Sequence, residues 1–170
     1  NCIDGVIQTT NAGTSYESGE TVCHSSASVV NNWLGIDLGA EYAVTGVRIY
    51  NVIGSCGGNN CPSARLQSHT VVIADTWYAE NQANPDHIAG ATICSFVASD
   101  FAGRGMAPIE EACAATGRYV YIMQAGAPSS PGAPDSYMSL REVEVYGTLP
   151  ARPQFGCQTD PTFQVLAGSY

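Results

Sequence analysis

The side chains able to do chemistry in this chain are few: three histidines (His24, His69, His87), six arginines, fifteen carboxylates and seven cysteines, with no lysine. The missing lysine removes Schiff-base chemistry, a phosphate-loop lysine and a kinase-type site together. No GxSxG or HExxH pattern frames any serine or histidine, so the chain is expected not to be an enzyme. His69 and His87 read as a strand-end and a loop histidine. A net charge of −9 cannot neutralise a run of phosphates, which argues against nucleic acid or an anionic membrane surface as partner. Acidic oxygens favour a hard cation instead. Charged residues are 12% of the chain, about half the usual share, and a surface so poor in charge suits coverage by partners.

The cysteines set the compartment. Seven in 170 residues, with neither a CxxC motif nor a zinc ribbon, indicate a secreted, extracellular, disulfide-bonded protein. The odd count leaves one thiol over, or bonded to another chain. Cys56 and Cys61 flank Gly57-Gly58-Asn59-Asn60, and so short a glycine-rich loop can bring them within bonding distance. A metal clip there lacks a second pair or a histidine at ligand spacing. No run is long enough to span a membrane, so direct insertion is not expected. The opening residues, Asn1-Cys2-Ile3-Asp4-Gly5, are neither basic nor apolar, so any secretion signal is expected to have been removed. There is no Asn-x-Ser/Thr sequon.

The elements that must position these groups are short β-type runs between turn clusters. Strands are expected at 33–38, closed by Gly39, and at 44–52, 70–74, 118–124 and 139–146, all rich in β-branched and aromatic residues. Residues 54–62 and 126–134 and the Asn84-Pro85-Asp86 triplet are turns. Residues 109–115 read as one or two helical turns. Alternation along 139–146 sends Val143 and Val145 to one side and Glu142 and Glu144 to the other. After Gly147 a stiff linker, Thr148-Leu149-Pro150-Ala151-Arg152-Pro153, leads to a last apolar run at 163–167.

The run Trp33-Leu34-Gly35-Ile36-Asp37-Leu38-Gly39, then Val44-Thr45-Gly46-Val47-Arg48-Ile49-Tyr50-Asn51, resembles the core strands of the coagulation-factor type C, or discoidin, domain. Residues 117–122 and 140–147 resemble its last two strands, and order and spacing agree over 1–147. Cys23-His24 before the Trp33 strand, and a cysteine-containing loop after Asn51, resemble the F-type lectin (fucolectin) branch most. The resemblance implies an all-β, galactose-binding-like jelly-roll β-sandwich of about eight strands. It also implies a structural calcium held by Asn1, Asp4, the Val6 carbonyl, Thr21, the Arg141 carbonyl and Glu142. Such oxygens suit calcium, which takes six to eight of them. His24 and Arg65 match two sugar-binding residues of those lectins, and Cys94 and Cys113 match a family disulfide.

This sequence departs from the pattern in four places. Val52 stands where the lectins carry a first sugar-binding arginine, next to a cysteine pair replaced here by Cys56 and Cys61. Losing one of three convergent donors leaves sugar hydroxyls unmatched. His24 and Arg65 then read either as sugar ligands or as a structural histidine and a rim arginine. Arg141 stands where the lectins have the cysteine that bonds the one before the histidine, so Cys23 has Cys2 or Cys157 as its candidate, with the third left over. The family's opening strand is missing and 148–170 is extra. That tail either returns to its own domain, completes a neighbouring molecule, or is a disordered extension, or else the opening strand belongs to a longer precursor outside this sequence. Exchange would give a head-to-tail filament. Two functions compete: a glycan-binding or surface-binding recognition module, and a structural subunit of an extracellular filament or matrix.

Overall fold

The computed structural model describes residues 3, 5, 23–25, 32–52, 66, 68–78, 88–97, 107–124, 138–149 and 164–165. Every regular element among them is a strand: β1 (Cys23–His24), β2 (Trp33–Asn51), β3 (His69–Ala74), β4 (Thr92–Val97), β5 (Ile109–Gln124), β6 (Ser139–Thr148) and β7 (Gln164–Val165). All pairings are antiparallel, in the order β1-β6-β2-β5-β3-β4, with β7 also on β6.

Two long strands organise the sheet. The first part of β2 (33–37) pairs with the last part of β5, which carries on to β3 and β4. The second part of β2 (42–51) lies between β6 and the first part of β5. Between the two parts the ladder slips from Asp37/Tyr119 to Tyr42/Gly117, so residues 38–41 bulge opposite Arg118. Gly39 supplies the left-handed φ of 78° that this bulge uses, and its N–H donates to Asp37 Oδ1 at 2.8 Å. Both halves direct an apolar face into one core: Val47, Ile49, Val143 and Val145 from one, Ile36, Val71, Ile73, Val120 and Ile122 from the other. Each such buried aliphatic stabilises the fold by about 1.5–3 kcal/mol. The result is an all-β jelly-roll sandwich. The Cys94–Cys113 disulfide spans 4.8 Å between Cα atoms and ties β4, at the far side of one half, to β5 in the other. Cys94 is the extra residue where the β3–β4 register slips between Val71 and Val72.

Several expected boundaries are corrected. The strands at 33–38 and 44–52 are one, because the bulge absorbs Gly39 without breaking the ladder. Residues 109–115 are not helical: Ile109, Glu111 and Cys113 are buried while Glu110, Ala112 and Ala114 are exposed, the period of a strand. Alanine and glutamate favour helix intrinsically, and tertiary pairing with β2 overrides that preference. Sequence reading missed β1 and β4. The last apolar run contributes β7, which pairs Val165 with Val145 and Gln164 with Tyr146 of its own chain.

Candidate functional site

Of the site residues expected from sequence, the described ones, His24, Arg141 and Glu142, lie on β1 and the strand it pairs with, β6. Cys23 lies opposite Leu140 and His24 opposite Ser139. The next residue fixes this register: Ser25 N–H donates to the Met138 carbonyl at 3.0 Å, and Met138 N–H donates back to Ser25 Oγ at 3.1 Å. Cys23 is disulfide-bonded. The four other cysteines whose pairing was in question, Cys2, Cys56, Cys61 and Cys157, lie outside the described residues.

Immediately along β6 the strand carries a bulge. Tyr50 pairs with Glu142 but Asn51 with Leu140, so Arg141 is the extra residue. Its side chain is buried, and its Nε–H donates to the Asn51 carbonyl. Burial pulls the guanidinium below its ordinary value, with the neighbouring Tyr50 acting weakly in the other direction. The Asn51 side chain accepts from Val52 N–H at 2.8 Å, and Val52 itself is only 2% exposed. The place of the family's first arginine is therefore a buried aliphatic.

Alternation sends Glu142 away from Val143 and Val145, and its side chain is nonetheless only 1% exposed, with Oε1 accepting from Val143 N–H at 3.0 Å. A carboxylate so deeply buried is tolerated only when hydrogen-bonded, paired or bound to a cation. Glu142 and the Arg141 main-chain carbonyl are hard oxygen donors that suit calcium. Gly5, next to Asp4, has φ of 76°, and Ile3 packs on the core. Asn1, Asp4, Val6, Thr21 and Arg65 lie outside the described residues. Among the described residues no three His, Cys, Asp or Glu side chains stand together as a metal cluster, and no helix is long and apolar enough to cross a membrane.

Sequence reading missed a polar network on the same face. Glu144 Oε2 accepts from Tyr146 OH at 2.5 Å, Tyr50 OH at 3.2 Å and Arg48 Nη1 at 3.3 Å. Arg48 Nε also donates to Glu110 at 2.7 Å, and the guanidinium lies 5.1 Å from the Tyr146 ring centre. Burial and the Glu144 carboxylate push the Tyr146 hydroxyl up to about 12. The visible signal was the period of 48, 50, 142, 144 and 146, although only register shows which of these meet.

No protein-family model and no curated protein matches the chain. Solved structures do. A fucolectin, or f-lectin, from the serum of striped bass (Morone saxatilis) is 26% identical, with a TM-score of 0.53 over 75% of this chain and 36% of the lectin. The lectin domain of lectinolysin, solved with Lewis B antigen, is 20% identical over 87% of this chain and 97% of that domain, with a TM-score of 0.49. A fucose binding module from Streptococcus pneumoniae is 20% identical over 86% and 97%, with a TM-score of 0.45. The chain is thus similar to an F-type lectin in structure as well as in sequence motifs. The alignment with the striped bass protein, which leaves most of that lectin unmatched, carries the comparison.

Proposed function

We propose that this chain is a non-enzymatic, extracellular glycan-binding module stabilised by calcium. The carrying observation is its likeness to the striped bass fucolectin over 75% of its length. In this reading Asn1, Asp4, the Val6 and Arg141 carbonyls, Thr21 and Glu142 hold the ion, while His24 and Arg65 donate to sugar hydroxyls. The cation assignment draws its support from the donor chemistry, since the Glu142 carboxylate and the Arg141 carbonyl are hard oxygens adjacent on β6. The bonded state of Cys23, Cys94 and Cys113 supports an oxidising compartment. With Val52 buried where a third sugar donor would stand, affinity for a single sugar is expected to be weak.

The test is a glycan array probed with the native chain in calcium, in EDTA, and as the His24→Ala and Arg65→Ala variants. Binding that needs calcium and is lost in both variants supports the reading. Binding that survives both variants removes the His24 and Arg65 assignment, and binding indifferent to EDTA together with an unchanged melting temperature removes calcium.

A further inference from the structure

Strand alternation builds a second surface that shares no residue with β1 or β6. Register places Gly35 opposite Tyr121 and Asp37 opposite Tyr119, with Tyr121 in turn opposite Val72 on β3. This is the face turned away from the main core, and it is aromatic. Tyr121 is fully buried there. Its hydroxyl accepts from Tyr78 N–H at 2.8 Å and donates to the Thr76 carbonyl at 3.1 Å, so one phenol grips the backbone on both sides of Trp77.

Trp77 is consequently held in place. Its ring sits 5.9 Å from that of Trp33, 5.4 Å from Tyr119 and 5.8 Å from Tyr121. Gly35 makes this possible, because a Cβ there would come within 2.8 Å of Trp33, 2.9 Å of Trp77 and 3.0 Å of Tyr121. Yet Trp77 remains 49% exposed. A large ring fixed on three sides and half in water presents apolar area that loses little conformational freedom on binding. Beside it, Arg118 grips Asp37 through two hydrogen bonds of 2.7 Å, with its guanidinium 5.2 Å from the Tyr119 ring centre.

We propose that Trp77, flanked by Tyr119 and the Asp37–Arg118 pair, is a platform for the flat face of a pyranose ring in a β-linked glycan chain. A pyranose with equatorial substituents is apolar on its C–H faces and polar around its rim. The indole matches the first and the partly exposed carboxylate and guanidinium match the second. Stacked nucleobases are disfavoured by the charge of −9. Exposed Ile93 and Phe96 of β4 pair with Val72 and Thr70 on this same face, so a second copy of the chain is the competing occupant that sedimentation must exclude. This platform does not depend on the calcium, His24 or Arg65 assignments.

The experiment titrates the native chain with cellohexaose and chitohexaose, following indole fluorescence and heat. Saturable binding is expected for at least one of them. Trp77→Ala is expected to weaken it about tenfold or more and Trp77→Phe, which keeps a flat ring, less so. Circular dichroism and melting of each variant report whether the fold is intact, and excess L-fucose is expected not to displace the oligosaccharide. The proposal falls if neither probe binds, if a folded Trp77→Ala chain binds as the native chain does, or if L-fucose competes. It also falls if sedimentation shows a native dimer that Trp77→Ala dissolves, since a second copy then covers this face. Array binding lost in Arg65→Ala, together with no binding of either hexaose by the native chain, would sink this platform and leave the module reading standing.

Discussion

Replacing Gly35 by alanine adds one methyl group at the most crowded point of the aromatic face. The added Cβ would meet three rings at 2.8–3.0 Å, closer than carbon atoms settle without movement. Tyr121 cannot yield, being fully buried and hydrogen-bonded twice through its hydroxyl. Trp33 and Trp77 must shift instead, and the half-exposed Trp77 has room to swing outward. Overpacking of this kind costs about 1–3 kcal/mol. With a urea slope of about 2 kcal/mol per molar, the unfolding midpoint should fall by about 1 M while the slope stays unchanged. Indole emission should move to the red as Trp77 gains water. Gly46→Ala is the internal control. Its Cβ has only the Glu111 carbonyl near it, at 3.4 Å, so that variant should be neutral or gain up to about 1 kcal/mol from a less flexible unfolded chain. A Gly35→Ala chain within 0.5 kcal/mol of native (~0.5, the ordinary range of surface substitutions), with unchanged emission, would refute the packing described here.

Three further outcomes follow from the same contacts. Removing the Cys94–Cys113 disulfide, which closes a loop of sequence separation 19, should cost about 3 kcal/mol and lower the melting temperature by about 6–12 °C in calorimetry; a loss under about 1 kcal/mol would contradict its role in tying the halves. Burial and the Glu144 carboxylate push the Tyr146 hydroxyl up to about 12 from an ordinary 10.0, so its contribution is whole below pH 10 and fades between 10 and 12. Tyr146→Phe should flatten that alkaline slope in pH-dependent urea unfolding, and an unaltered slope would count against the Glu144 network. The Arg118 hydrogen bonds hold the Asp37 carboxyl below its ordinary 3.8, so stability present above that value is lost as acid protonates it. Asp37→Asn should make stability less sensitive to pH below about 4, and equal acid sensitivity in both chains would remove the ion pair's share.

The sandwich was legible because its core strands advertise themselves. Val44 to Asn51 and 139–146 alternate β-branched with polar residues, and those runs became the second part of β2 and most of β6. Residues 109–115 were misread because alanine and glutamate carry helix propensity, and a strand whose outer positions are Glu110, Ala112 and Ala114 gives no β-branched signal there. The two halves of β2 looked separate because Gly39 reads as a stop; a bulge and a strand end use the same residue. At the site, sequence pointed to Glu142 as a donor but not to its burial, which depends on what packs over β6 rather than on any local pattern. The Trp77 face was invisible because its members come from 33–37, 72–78 and 118–121, and only register brings them together.

The most direct test of the glycan-module reading is one array measurement on the native chain, made in millimolar calcium and repeated after chelation. The account expects glycan binding in calcium, reduced by EDTA and by Arg65→Ala in a chain that still melts cooperatively. An array blank in both conditions, from protein with its Cys94–Cys113 bond intact, would contradict it.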